Sequence, residues 1–327
     1  MANEITIATF NVENLFTRYN FKGKKTGLKD HKNRNIYRPY TSEELQRAFK
    51  DGFIVDRNLF KTALKPSRFL TAKAIKALKA NILGLQEIEN LDTLKRFNSN
   101  FLKSRKFNYQ MVIDGNDNRF IDVGLLSDIP PDFVRTHQFL RSGRSRVFSR
   151  DCLEVHFKIN QRALVVFVNH FKSMMGGRAK TKKRRELQSE AVLEILKERF
   201  GHQFGNADFI ILGDLNDYME TGKENESGIR KLLQSDQMEN ALDRLPAPQR
   251  WTHFYNGTKD YRQLDYILIS KSLALKNPGA LPYIERRGQP LRVNPKNKPA
   301  MVPRFFKEVK GKAKASDHCP VSITLKL

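Results

Sequence analysis

The chain has 327 residues, 39% of them hydrophobic, which is enough for a sizeable core, and it carries 59 Lys and Arg against 35 Asp and Glu. The net charge of +24 exceeds what solubility requires and points to a polyanionic partner. Two cysteines, Cys152 and Cys319, are too few for a disulfide framework, and no stretch approaches the roughly 18 to 20 apolar residues of a membrane span.

The N-terminus passes from Met1-Ala2-Asn3-Glu4 directly into a strand-like segment, with no apolar leader. A cytoplasmic protein is expected, the alternative being a secreted form whose signal has been removed. Ile5 to Phe10 alternates as a strand and ends in Asn11. A polar stretch follows at about 17–65, rich in Lys22, Lys24, Lys25, Lys29, Lys32, Arg34 and Arg38, and it reads as a basic insertion. Within it, Thr41-Ser42-Glu43-Glu44 has a helix-capping pattern. Thr71 to Leu78, with Ala72, Ile75 and Leu78 apolar, predicts an amphipathic helix on a sheet, and Leu91 to Leu102 predicts another. Between them Ile82-Leu83-Gly84-Leu85-Gln86 predicts a strand ending in Glu87. Leu164 to Val168 ends in Asn169-His170, and a second basic block from Arg178 to Arg185 leads into a helix expected from about Glu186 to Phe200. Phe209-Ile210-Ile211-Leu212-Gly213 is a buried-strand pattern that stops at Asp214, with Asn216 two positions on. Leu264 to Ile269 carries Asp265 near its start, a long basic loop spans about 278–314, and Ser316-Asp317-His318 precedes the last strand, Val321 to Leu325.

Six strands thus each deliver polar residues at an end, where sheet proteins build sites. Carboxylate and carboxamide oxygens suit Mg2+ or Mn2+, while imidazoles and amides orient water and stabilise phosphoryl charge, which is what phosphate-ester hydrolysis requires. From Thr9-Phe10-Asn11 to Ser316-Asp317-His318 the motif order resembles the endonuclease/exonuclease/phosphatase superfamily, which includes deoxyribonuclease I, exonuclease III, sphingomyelinases and inositol polyphosphate phosphatases. The resemblance implies an α/β (α+β) fold, a four-layered α/β/β/α sandwich of two mostly antiparallel sheets flanked by helices, with internal pseudo-symmetry. The similar shapes of Ile82 to Glu87 and Ile210 to Asp214 hint at that symmetry. Because candidate site residues run from the first strand to the last, 1–327 is expected to be a single domain with the two basic additions.

By the same resemblance, Glu87 is the principal metal ligand, with Asn11 and Asp317 completing an oxygen shell for Mg2+ or Mn2+. A second divalent ion near Asp214 and Asn216 is the further possibility. Asp214 orients or deprotonates the attacking water, and Asn216 donates to a phosphoryl oxygen. His170 and His318 contact the scissile phosphate, each needing a carboxylate on its other nitrogen; Asp265 is one candidate partner and Asp122 the other. Arg150, in Phe148-Ser149-Arg150-Asp151, resembles a phosphate-contacting arginine of deoxyribonuclease I. Arg119 and Asp122 stand where that enzyme has a Tyr and a Glu, so their assignment to substrate is looser.

The basic block offers Arg178, Lys180, Lys182, Lys183, Arg184 and Arg185 to a phosphate backbone. His170 stands where apurinic-site repair members carry Asn, the inositol phosphatase signature is missing after Asp217-Tyr218, and the insertion is cationic where sphingomyelinases need an apolar protrusion. The resulting expectation is a monomeric, metal-dependent phosphodiesterase cutting nucleic acid, specifically a DNA endonuclease of low sequence specificity. The alternatives are a phosphatase or phospholipase C-type hydrolase of inositol phosphate or sphingomyelin headgroups, and a non-catalytic nucleic-acid-binding member.

Overall fold

The computed structural model describes residues 4–15, 65–119 and 121–327, so nearly all of the expected basic insertion, including the segment from Thr41 to Glu44, lies outside the described residues. Among the described residues, twelve strands build two six-stranded sheets. They are β1 (Glu4–Leu15), β2 (Ile82–Ile88), β3 (Tyr109–Val112), β4 (Asp122–Ser127), β5 (Phe133–Arg135), β6 (Cys152–Ile159), β7 (Arg162–His170), β8 (Phe209–Asp214), β9 (Met238–Asn240), β10 (Asp265–Ser270), β11 (Tyr283–Ile284) and β12 (Val321–Lys326). The first sheet runs β11-β12-β1-β2-β4-β3 and the second β9-β10-β8-β7-β6-β5.

Each sheet has one parallel pair, β1 with β2 and β8 with β7, and its other neighbours are antiparallel. The two sheets are therefore topological copies in which β1 matches β8 and β2 matches β7. The pseudo-symmetry is present, but its equivalence differs from the one suggested by local sequence shape, which had matched β2 with β8. An apolar run before an acid reports only that a strand is buried, not its place in a sheet.

Alternation explains the layering. Ile5 and Ile7 of β1, and Ile210 and Leu212 of β8, point into the core between the sheets. Ala8 and Phe10 of β1 turn outward onto the helices α1 (Lys65–Leu78) and α2 (Leu91–Phe101), while Phe209 and Ile211 of β8 turn onto α3 (Arg178–Phe200). Strands covered on both faces read as continuous apolar runs, and each such side chain contributes roughly 1.5–3 kcal/mol by burial. The sheets approach closely at Gly84, where an added Cβ would stand 2.2 Å from Leu212 Cδ1. Helix α2 is capped by Asn90, whose side chain accepts from the Thr93 amide at 2.8 Å. The basic stretch at 278–314 is largely irregular, as expected, yet Val293 and Val302 enter the inter-sheet core and Phe306 the α1 side, which pins it to the sandwich.

Candidate active site

Two chain distortions aim the polar residues. The pairing of β1 slips between Asn11 and Leu15, and that of β2 between Gln86 and Ile88. Glu13, Asn14 and Glu87 there have φ of 50°, 59° and 66°. Such bulges re-aim side chains at the rim of a sheet, and strained backbone of this kind gathers at functional sites. Glu87 is consequently not a residue following a strand but one lifted out of it, with its carboxylate accepting from the Asn14 amide at 2.9 Å. On β8, Gly213 has φ 137°, and a Cβ there would lie 1.9 Å from the Asn169 carbonyl oxygen; only glycine brings β8 this close to β7 where Asp214 begins the site.

Asp214 is the hub. Its Oδ2 accepts from Asn11 Nδ2 at 3.0 Å and from Asn216 Nδ2 at 2.9 Å, and its Oδ1 accepts from the Asn216 amide at 2.9 Å. His170 Nε2 and His318 Nε2 face the same Oδ2 at 3.6 and 3.8 Å. Burial, opposed by His318 but reinforced by Asp265, raises the Asp214 pKa to about 7. His318 Nδ1 lies 2.8 Å from Asp265 Oδ2. Burial disfavours its charge, yet Asp265 and Asp214 together hold its pKa well above the usual histidine range.

His170 differs. Burial, with Arg150 and His318 nearby, depresses its pKa strongly, and its Nδ1 is buried without a hydrogen-bond partner among the described residues. No carboxylate among the described residues meets that nitrogen. Asp122, the proposed partner, instead accepts from the Gly115 amide at 2.7 Å, and burial pushes its pKa up to about 7.

Around this hub, Asn11, Glu13, Glu87 and Asp317 line a cleft of about 700 Å3 together with Arg119, His170, Asp214, Asn216 and His318. Burial and the Asp317 charge raise the Glu87 pKa. Burial and Asp317 also raise that of Glu13, although Lys314 is ion-paired with it. Crowded carboxylates and a carboxamide are a hard-oxygen donor set, and cations relieve their mutual repulsion. The residues fit a divalent ion held by Glu87, Asp317 and Asn11. Asp214, Asp265 and His318 also offer donor atoms within 4.8 Å of one another, a group compatible with a metal ion.

Four residues were not singled out in the sequence: Glu13, which also accepts from the Asp317 amide at 3.1 Å; His253, whose ring centroid is 4.8 Å from that of His318; and Tyr218 and Arg262, both on the cleft wall. The run Asn11-Val12-Glu13-Asn14 carried a usable signal for Glu13. The other three sit on loops or a short ribbon without a motif.

Two expected phosphate contacts are corrected. Arg150 is buried, with Nη1 3.1 Å from Asp117 Oδ2 and Nη2 2.5 Å from the Phe171 carbonyl oxygen. It stands behind the cleft, whereas Arg119, half-exposed and paired with Asp117 at 3.2 Å, lines the cleft itself. Arg185 is fully buried, its Nε 2.8 Å from Asp217 Oδ2, so it locks α3 to the loop after β8 and tracks no backbone. Arg178 shares Asp217 at 2.8 Å while still lining the cleft. Lys180 and Lys183 are exposed, Lys182 pairs with Glu186 at 2.8 Å, and Arg184 donates to the Arg146 carbonyl oxygen.

A family model described as the Endonuclease/Exonuclease/phosphatase family matches residues 6–326. The chain belongs to this family. Enzymes of the Endonuclease/Exonuclease/phosphatase family are typically metal-dependent phosphodiesterases and hydrolases that use divalent metals. A search of curated proteins by sequence returns no match. Among solved structures, truncated Caenorhabditis elegans TDP2 superposes with a TM-score of 0.57 at 13% identity, covering 99% of this chain and 98% of that one. An endonuclease/exonuclease/phosphatase from Bacteroides vulgatus gives 0.56 at 14% identity, with 99% of each chain covered. D. rerio TDP2 complexed with a single-strand DNA product gives 0.56 at 14%, covering 99% and 100%. These likenesses establish the sandwich fold. No helix among the described residues is long and apolar enough to cross a membrane.

Proposed function

We propose that this protein is a divalent-metal-dependent phosphodiesterase that hydrolyses nucleic acid, and that residues 1–327 act as one domain, since both sheets supply the site. The carrying observation is Asp214, held by Asn11 and Asn216, facing two histidines and set beside the Glu87 and Asp317 carboxylates. A divalent ion bound by Glu87, Asp317 and Asn11 would withdraw charge from a phosphoryl oxygen and the leaving oxygen. Asp214, with a pKa near the working range, accepts a proton from the attacking water. Asp265 fixes the His318 tautomer and favours its charged form, so that His318 Nε2 donates to a phosphoryl oxygen. Asn216 spends both Nδ2 hydrogens on Asp214 Oδ2 and the Phe171 carbonyl oxygen, so it positions Asp214 in place of the phosphoryl contact expected from sequence, and the neutral His170 supplies a further donor.

Nucleic acid is favoured by the first turns of α3. Lys180, Lys182 and Lys183 crowd a helix N-terminus, where the macrodipole disfavours cations, and they follow directly on Gly177 and Arg178 at the cleft. Such an arrangement is unfavourable alone and is relieved by phosphates. The single-strand DNA held by the structurally similar D. rerio TDP2 is in keeping with this reading. We take DNA as the substrate, cut internally with low sequence specificity, by a monomer using Mg2+ or Mn2+.

The test offers supercoiled plasmid, single-stranded oligonucleotides, a short RNA, an inositol polyphosphate and sphingomyelin side by side, with Mg2+, with Mn2+ and with excess chelator. Metal-dependent nicking of DNA is expected. Headgroup hydrolysis with intact nucleic acid would replace this reading with the phosphatase or phospholipase one.

A further inference from the structure

The mouth of the cleft carries an alternating ladder of arginines and tyrosines. The Arg178 guanidinium lies 3.9 Å from the Tyr218 ring centroid, the Arg262 guanidinium lies 5.2 Å from the same centroid, and Arg262 also lies 4.7 Å from the Tyr255 ring centroid. Tyr255 is 46% exposed, and it sits on a short ribbon of residues 253–255 and 260–262 in which Tyr255 opposes Asp260. Its ring covers the turn at Gly257, where an added Cβ would meet Tyr255 Cε1 at 2.9 Å, so the ring is supported from its own hairpin and open to solvent beyond.

Tyr218 and Arg262 are shared with a second, adjoining cleft of about 940 Å3. Its cations Arg250, Arg262 and Lys298 each already have a partner, and Glu220 and Glu224 add negative charge, so it is poorly suited to a phosphate. Asp243 and Asp260 line it, each already paired with an arginine, Arg250 at 2.8 Å and Arg262 at 3.1 Å. Its remaining polar lining includes the amides of Gln234 and Gln263. Flat aromatic and guanidinium faces beside amide donors and acceptors suit a heterocyclic base, which presents a π face and a hydrogen-bonding edge.

Building on the nucleic-acid reading above, we propose that the Arg178, Tyr218, Arg262 and Tyr255 ladder seats one unpaired nucleotide next to the scissile phosphate, its base stacked on the ladder and turned toward the second cleft. A base inside a duplex has both faces stacked and its edge paired, so reaching this seat requires it to leave the helix. The preferred substrate is therefore single-stranded or frayed nucleic acid rather than closed duplex, and base identity matters little because every base has a face to stack.

The experiment measures kcat and KM with Mg2+ on a single-stranded oligonucleotide and on a blunt hairpin of the same sequence, for the parent and for the full-length Tyr255→Ala and Tyr255→Trp variants. The parent should favour the single strand by at least about tenfold in kcat/KM. Tyr255→Ala should raise KM on the single strand by roughly 10- to 100-fold, the range for loss of one stacking platform, and Tyr255→Trp should restore it, which separates stacking from damage to the fold. A 2-aminopurine beside the cleaved bond should be quenched by the parent and not by Tyr255→Ala. Unchanged KM in Tyr255→Ala, or preference for the blunt hairpin, would overturn the seat while leaving the nuclease reading standing. A parent that cleaves no oligonucleotide but hydrolyses headgroups would remove the nuclease reading, and the seat with it.

Discussion

Asp214 Oδ2 receives two amide donors and faces two imidazoles, so a change at any of these partners redistributes charge on one carboxylate. Replacing His318 or His170 by Ala is expected to lower turnover by roughly 10²- to 10⁴-fold, the range for a positioned acid or base, measured as kcat on a plasmid substrate. The two should differ in pH behaviour, since His318 is held charged by Asp265 and Asp214 whereas His170 is kept neutral by burial and Arg150. Glu87→Gln removes one of the few anionic oxygens from the proposed metal shell. Calorimetric titration with Mn2+ should show weakened binding, activity should be lost, and the thermal unfolding midpoint should stay close to the parent's; full activity in this variant, or in excess chelator, would sink the metal assignment. At this scale the sequence was legible wherever a polar residue closed an apolar run, as at Asn11, Glu87, His170 and Asp214. Depth was not legible. Arg150 and Arg185 look like surface cations in a linear reading, and only the tertiary positions of Asp117 and Asp217 reveal them as buried pairs.

Helix α3 was expected from about Glu186 and begins at Arg178. The extra turns carry no apolar stripe to announce a helix; what fastens them is Asp217, gripping Arg178 and Arg185 from outside the helix. Strands fared better because burial on both faces leaves uninterrupted apolar runs, whereas the short β5, β9 and β11 have too few residues to show a period. At the other end of α3 a second clamp ties three elements. Buried Glu154 of β6 meets His137 at 2.8 Å, His156 at 2.5 Å and Arg199 of α3 at 2.6 Å. Burial alone would raise its pKa, but these three partners outweigh that and lower it from 4.5 to about 2. A carboxylate depressed in the folded state stabilises fully above its unfolded value and loses that contribution as pH falls toward the folded one. Acid titration of stability should therefore show about 3 kcal/mol draining away between pH 4.5 and 2 from this group, and Glu154→Gln should remove that part of the pH dependence. An unchanged acid profile in the variant would show that the clamp is not where acid sensitivity resides.

Taken whole, the molecule carries +24, and the described part of that charge is not spread evenly over function. Lys180 and Lys183 are exposed on α3, Lys182 and Arg184 are partly exposed beside their partners Glu186 and Arg146, and Arg150 and Arg185 are buried in ion pairs. Binding of the protein to long DNA in Ca2+ should weaken linearly with salt on a log-log plot, with a slope of about 0.9 per phosphate contacted. Changing Lys180, Lys182, Lys183 and Arg184 to Gln should reduce both affinity and slope, whereas an identical line would assign the block to a solvated face. Composition points toward a polyanion but not to its form, since a charge count carries no geometry.

The order in which the sandwich is completed has one more effect. Strand β12 inserts between β11 and β1, and Asp317 and His318 stand just ahead of it, so a growing chain holds Asn11, Glu87, His170 and Asp214 long before it holds the two residues that finish the site. The cleft therefore closes as a unit only when the segment carrying Asp317 and His318 has set β12 against β1, which couples whatever the cleft binds to the docking of one late strand.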